Sequence, residues 1–293
     1  MPEVQTATTS QSEICLEGFL DYAGLFPPAD LDMQSVVDNW SLYLQSDDSW
    51  MLARLIIPAS RLEEFKIAAK ELLPSPDDQD LWQLSVLLPP AGSEKFNEAV
   101  QTTIEFNMKD CGAVANVVEF KAMTVNEIDF ALSVLHDDLF PYIELPIEED
   151  PRGLLTCLSG AIAGAKVRTG GVTPDLYPMS TNLARFIHSC AIAGQPFKAT
   201  AGMHHPARHK NESVGVLEYG FLSVLQAAAA VSIEGATVEE VETILNTNTP
   251  DLSTFSDSDL ELVRADIFNS LGACSFDDPR KDLRTMGFLK ELK

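Results

Sequence analysis

Residues 165–202 read AKVRTGGVTPDLYPMSTNLARFIHSCAIAGQPFKATAG. Two short β-type runs, 165–169 and 197–201, flank a helical pattern over 182–193, and each run is closed by glycine. A strand, a crossover helix and a second strand imply two parallel strands joined in the right-handed sense. The two-residue period sets Lys166 and Arg168 on one face of the first strand and Ala165 and Val167 on the other. Lys198 and Thr200 pair in the same way on the second.

The same unit recurs along the chain at about 30 residues per strand–helix pair. Further strands are expected at 18–25, 52–58, 82–88, 113–120, 140–146 and 267–275. Helices are expected at 32–45, 61–73, 94–108, 125–135, 151–162, 219–233 with 238–245, and 279–286. Ser60, Ser93 and the pair Thr237 and Glu240 supply cap signals. Eight strands in strict alternation with helices predict an α/β chain folded as a (β/α)8 TIM barrel. A doubly wound open parallel sheet is the alternative, but the GxGxxG turn usual after its first strand is missing. The last unit is ambiguous, since 257–271 also reads as one helix running up to Gly272. The expected organisation is a polar N-terminal leader over 1–13 and a single barrel domain over 14–293.

Composition excludes several functions. The 293 residues carry 20 Lys+Arg against 44 Asp+Glu, a formal net charge of −24. That excludes a generic nucleic-acid partner and argues against docking on anionic membrane. No apolar run reaches the length of a membrane span, and no cationic residue precedes an apolar stretch at the N-terminus, so the expected location is cytoplasmic. Five widely spaced cysteines (Cys15, Cys111, Cys157, Cys190, Cys274) form no CxxC pair and read as free thiols. The charge is uneven: 165–210 holds six cations, one acid and four of the five histidines. A net +5 against −29 for the remainder points to a small anionic metabolite as partner.

In a barrel of this kind the active face lies at the carboxyl ends of the strands. Polar residues converge there from five strands: Asp21, Glu119, Glu144, Lys166 with Arg168, and Lys198 with Thr200. Gly170, Gly171 and Gly202 expose backbone amides able to cradle an anion, and Ser275, His204, His205 and Arg208 extend that candidate site. A lysine attacks a carbonyl only when neutral, so a catalytic Lys166 requires burial and nearby cations, here Arg168 and Lys198, to lower its pKa from about 10.4. Glu119, Glu144 or Asp21 would then serve as general acid or base. An inert arrangement would pair Lys166 with Glu144 and Lys198 with Glu119. The loop from His204 to about Leu217 reads as a cation-rich lid, and His204, His205 and His209 with Glu144 supply atoms for a divalent metal, although no HxH or HExxH spacing occurs.

The two segments KVRTGG and FKATAG resemble the ends of strands six and seven of deoxyribose-phosphate aldolases, which are class I aldolases with TIM-barrel folds. That resemblance implies Lys166 as the Schiff-base lysine, Lys198 as its neighbouring cation, and no cofactor beyond the covalent imine. Arg168 stands where that family has a small hydroxyl residue. The segments DYAGLFPPA (21–29), FKATAGMHHP (197–206) and GACSFDDP (272–279) are also similar to an uncharacterised bacterial family. The expected function is an enzyme acting on a sugar phosphate or keto acid by aldolase, lyase or isomerase chemistry, with a homo-oligomer possible. The rival expectations are a non-catalytic barrel that binds an anionic metabolite, and a metal-dependent hydrolase using His204 and His205.

Overall fold

The structure, a computed structural model, describes residues 9–290 apart from residue 79. Among the described residues ten strands run in chain order as β1 (Leu20–Tyr22), β2 (Leu52–Pro58), β3 (Trp82–Leu87), β4 (Ala113–Lys121), β5 (Phe140–Glu144), β6 (Gly164–Arg168), β7 (Phe197–Thr200), β8 (His209–Asn211), β9 (Val216–Glu218) and β10 (Phe268–Ala273). The α-helices of the described residues are α1 (Thr9–Leu16), α2 (Met33–Leu44), α3 (Leu62–Ala69), α4 (Phe96–Asn107), α5 (Val125–Val134), α6 (Arg152–Leu158), α7 (Ser180–Ala193), α8 (Phe221–Ala229), α9 (Val238–Asn246), α10 (Asp257–Asp266) and α11 (Asp277–Thr285).

Strands β1 to β7 pair in sequence, and β10 closes the ring between β7 and β1, every pair parallel. The protein is a (β/α)8 barrel, and the open-sheet alternative is excluded by that closure. Strand parity explains the layering. Leu55, Ile57, Leu84, Val86, Val118, Phe120, Ile143, Ala165, Val167 and Ala199 are buried, and they alternate along their strands with the polar set that meets inside the ring. Full burial of one such aliphatic side chain stabilises the fold by about 1.5–3 kcal/mol. The interior is unusual, because ions fill it where branched apolar layers are the norm.

Several local expectations change. The ambiguous stretch is a helix followed by a strand: α10 ends at Asp266 and β10 begins at Phe268. Its start carries a capping box of Ser256 with Asp259, as does α5 with Thr124 and Glu127. The box of Thr237 with Glu240 forms as expected. Ser60 caps nothing, since a 3-10 turn over Ala59–Arg61 precedes α3, and Ser93 accepts from the Lys95 amide one turn before α4. Helix α8 continues through a π turn, Ala230–Glu234, that ends on Gly235 at φ 73°. The stretch after β7 is not a bare loop, because β8 and β9 form an antiparallel ribbon.

Of the expected polar leader, residues 1–8 lie outside the described residues, and the chain from Thr9 is helical, with Cys15 and Leu16 buried. The carboxyl end of α1 is held by Arg264 of α10. Its Nε donates to Cys15 O at 3.0 Å, Nη2 to Glu17 O at 3.2 Å and Nη1 to Asn269 O at 2.7 Å, while its guanidinium lies 3.9 Å from the Phe19 ring. Burial lowers its pKa to about 10. All five cysteines are free thiols. Among the described residues no helix is long and apolar enough to cross a membrane.

Candidate functional site

The strand registers bring the predicted polar residues to the barrel axis. Lys166 on β6 is level with Lys198 on β7 and with Glu144 on β5, and Thr200 of β7 is level with Arg168. Glu119 reaches in from β4 and Asp21 from β1. Lys166 Nζ lies 3.0 Å from Glu119 Oε2 and 3.2 Å from Glu144 Oε2. Lys198 Nζ lies 2.6 Å from Glu119 Oε1 and in contact with Asp21 Oδ2. Thus one carboxylate, Glu119, holds both ammonium groups, one on each oxygen.

Hydroxyls complete the ring of contacts. Ser85 of β3 donates to Glu119 Oε1 at 2.6 Å, and Ser270 of β10 donates to Asp21 Oδ2 at 3.2 Å. Below them, Arg54 of β2 places Nη1 3.9 Å from Asp21 Oδ1, an oxygen that accepts no hydrogen bond among the described residues. The three carboxylates Asp21, Glu119 and Glu144 are therefore balanced by Arg54, Lys166 and Lys198. Both pairings expected from the sequence, Lys166 with Glu144 and Lys198 with Glu119, form, and each lysine also takes a second acid, Glu119 for Lys166 and Asp21 for Lys198.

The electrostatics follow from that sharing. Burial opposes the charge on Lys166, but the Glu119 and Glu144 carboxylates outweigh it and raise the pKa above the ordinary lysine value. The expected lowering by Arg168 and Lys198 does not occur, since the contacts with Glu119 and Glu144 decide the direction. Burial likewise opposes the charge on Glu119, yet Lys198 and Lys166 hold it well below the usual carboxylate range.

A cavity of about 350 Å³ opens above the lattice at the carboxyl end of the strands. Glu119, Glu144, Lys166, Arg168 and Thr200 contribute to its polar side, with Gly171 and His204 at the edge. Lys166 forms its floor with 7 % of its side chain exposed, and Glu144 stands beside it at 17 %. Lys198 and Asp21 are sealed beneath, both at 0 %. Arg168 spends its Nε on Gly170 O at 2.9 Å, and among the described residues no carboxylate pairs with its guanidinium.

The remaining predicted residues, His204 at the cavity edge apart, are placed elsewhere. Gly170 and Gly202 are packed against each other: a Cβ on Gly170 would sit 3.0 Å from Gly202 Cα and 2.8 Å from the Tyr177 ring, and Gly202 adopts φ 72°. Close backbone approach accounts for both glycines. Ser275 Oγ accepts from the Asp278 amide at the start of α11. Arg208 donates to Asn246 O at the end of α9. His205 Nδ1 lies 2.6 Å from Asp282 Oδ2, and its ring stacks on His209 at 3.7 Å between centroids. His204 turns the other way, with Nε2 3.8 Å from Cys274 Sγ, and burial lowers its pKa. Among the described residues no group of three or more His, Cys, Asp or Glu side chains is placed to hold a metal ion. The expected cation-rich lid is therefore dispersed, since Arg208 ties down α9 and Lys210 pairs with Glu212 at 3.0 Å.

Two participants were not anticipated. Arg54 lies on the inward face of β2, which the same two-residue period identifies, and its charge in the apolar run LARLIIP was the available signal. Glu218 of β9 is buried and accepts from Tyr177 OH at 2.6 Å and Asn211 Nδ2 at 2.7 Å. Tyr177 OH also lies 3.0 Å from Gly171 O, so this cluster ties the ribbon to the loop after β6.

No protein-family model and no curated protein matches the chain. Among solved structures the chain is similar to RipC from Yersinia pestis, with 10 % identity, a TM-score of 0.41, and coverage of 82 % of this chain and 90 % of that chain. A likeness at that level carries no argument about function.

Proposed function

We propose that the barrel is an enzyme acting on a small anionic carbonyl compound, with Lys166 as the amine that condenses with the carbonyl. The observation that carries this reading is the placement of Lys166 Nζ on the cavity floor, 3.2 Å from the partly open carboxylate of Glu144. Arg168 seats the anionic group of the substrate. Because Lys166 is charged at rest, the reaction begins with transfer of an Nζ proton to Glu144 as the carbonyl displaces their contact. The free amine pair attacks the carbonyl carbon, the oxygen takes up a proton, and loss of water leaves a C=N bond whose positive charge draws electrons from the adjacent carbon. Cleavage or proton loss there gives lyase, aldolase or isomerase outcomes. Lys198 acts through Glu119, since it does not reach the cavity.

Borohydride trapping with a panel of aldehydes and keto acids, read by peptide mass spectrometry, tests this. The expected adduct lies on Lys166, is absent from Lys166→Ala, and forms at a rate nearly independent of pH between about 6 and 9, since the proton moves within the pair. In Glu144→Gln the proton must leave to solvent, so the rate should climb about tenfold per pH unit over the same range. A panel that leaves Lys166 unlabelled throughout overturns the proposal. The second reading, a non-catalytic barrel for anionic metabolites, is favoured by the raised pKa of Lys166, which makes it a fixed cation at neutral pH. Its signature is thermal stabilisation by a ligand that is recovered unchanged.

A further inference from the structure

We propose that the cavity selects 2-oxo acids bearing a short hydrocarbon chain and discriminates against sugar phosphates; this rests on the reading that the cavity takes an anionic carbonyl compound. Its walls are segregated. The charged groups come from β4 to β6, a side that also carries Val172 and Ala201 in the loops after β6 and β7, whereas the side built by β1 to β3 presents only Ala23, Phe26, Pro27, Ile56 and Leu87 among the described residues. Ile56 Cδ1 extends to within 3.5 Å of where a Cβ on Gly272 would stand, so the apolar surface continues to the edge of β10. A ligand whose head meets Arg168 and Lys166 must lay its other end on hydrocarbon. Sugar hydroxyls placed there would lose water without gaining partners, at a cost of tenfold or more in affinity for each hydroxyl.

The charge arithmetic points the same way. Arg54, Lys166 and Lys198 are already balanced by Asp21, Glu119 and Glu144, which leaves Arg168 as the uncompensated cation facing the cavity among the described residues. One guanidinium balances the single charge of a carboxylate and leaves a phosphate dianion with one charge unbalanced. Barrels of this fold commonly hold phosphate on the loops after the seventh and eighth strands and on a helix N-terminus nearby. Here the helix after the eighth barrel strand, α11, starts with Asp277 and Asp278, and the Asp278 amide is already taken by Ser275 Oγ. Two carboxylates at that terminus repel a phosphate. The volume, about 350 Å³, lies at the small end of ligand cavities.

Titration calorimetry on the full chain tests the proposal with two series: 2-oxo acids from 2-oxopropanoate to 2-oxohexanoate, and saturated acids from butanoate to hexanoate, with deoxyribose 5-phosphate as the competitor class. Kd is expected to fall about fourfold per added methylene in both series. The slope should flatten in Leu87→Gln; Phe26→Gln, in the loop after β1, provides the same readout should the first variant fail to fold. A sugar phosphate that binds more tightly than 2-oxohexanoate, or a Kd that ignores chain length, overturns the proposal. The saturated acids have no carbonyl to condense, so their trend is independent of imine formation. A chain-length slope without borohydride labelling removes the imine and keeps this selectivity, and labelling with a flat series does the reverse.

Discussion

Glu119→Gln is expected to destabilise the protein by about 3–5 kcal/mol at neutral pH, read as a fall in the urea midpoint with the slope unchanged. The carboxylate is buried and holds Lys198 at 2.6 Å and Lys166 at 3.0 Å, so the amide leaves two cations with one acid each in a space of low polarity. The sign of the pH dependence follows from the depressed pKa of Glu119. Its contribution is fully present above the unfolded value of about 4.3 and is lost as pH falls toward the lower folded value. The gap between wild type and variant should therefore narrow progressively as the pH falls below about 4.5. An unchanged midpoint at pH 7 would show that the lattice is not held by this carboxylate. Adding Lys198→Met to Glu119→Gln should recover part of the loss, because removal of both partners leaves fewer stranded charges.

Lys198→Met alone should cost a similar amount, again about 3–5 kcal/mol, while leaving Lys166 open to borohydride labelling. Asp21 and Glu119 both point at the Lys198 ammonium, and neither they nor it is exposed. Without the ammonium, two carboxylates share a dry space and one of them takes up a proton. The folded variant then holds one proton that its own unfolded chain has released, so its deficit shrinks as the pH is lowered from 7 to 5. Loss of all labelling in a folded Lys198→Met protein would place the reactive amine on β7 and overturn the assignment of Lys166.

The barrel was legible because strand–helix alternation and the two-residue period both survive in single segments. The pairs 166/168 and 198/200 face inward as the period requires. Partnership was not legible. Which acid meets which lysine depends on the relative shifts of five strands, and those shifts arise from ring closure, not from any one segment. Glu119 becomes the shared acid because β4 carries it within reach of both lysines. For the same reason the +5 of residues 165–210 does not gather in one place: Arg185 donates to the carbonyls of Glu148 and Glu149 on the outer layer, and Arg208 to the end of α9. Linear proximity of charges does not survive folding onto opposite sides of strands and helices. The ribbon of β8 and β9 escaped notice because its strands are three residues each and mostly polar.

Arg264 touches neither the cavity nor any member of the ion lattice, yet it sits where the first and last barrel strands meet. Strand β1 is only three residues long, and no loop links it directly to β10, so the ring has one join made wholly of non-covalent contacts. Arg264 rivets that join from the opposite mouth by binding carbonyls on both sides of it. Asp21 and Ser270 lie on the two joined strands. Transient parting of this join would therefore admit water to the ions from underneath, so a guanidinium at the far end of the barrel helps to keep the ion lattice dry.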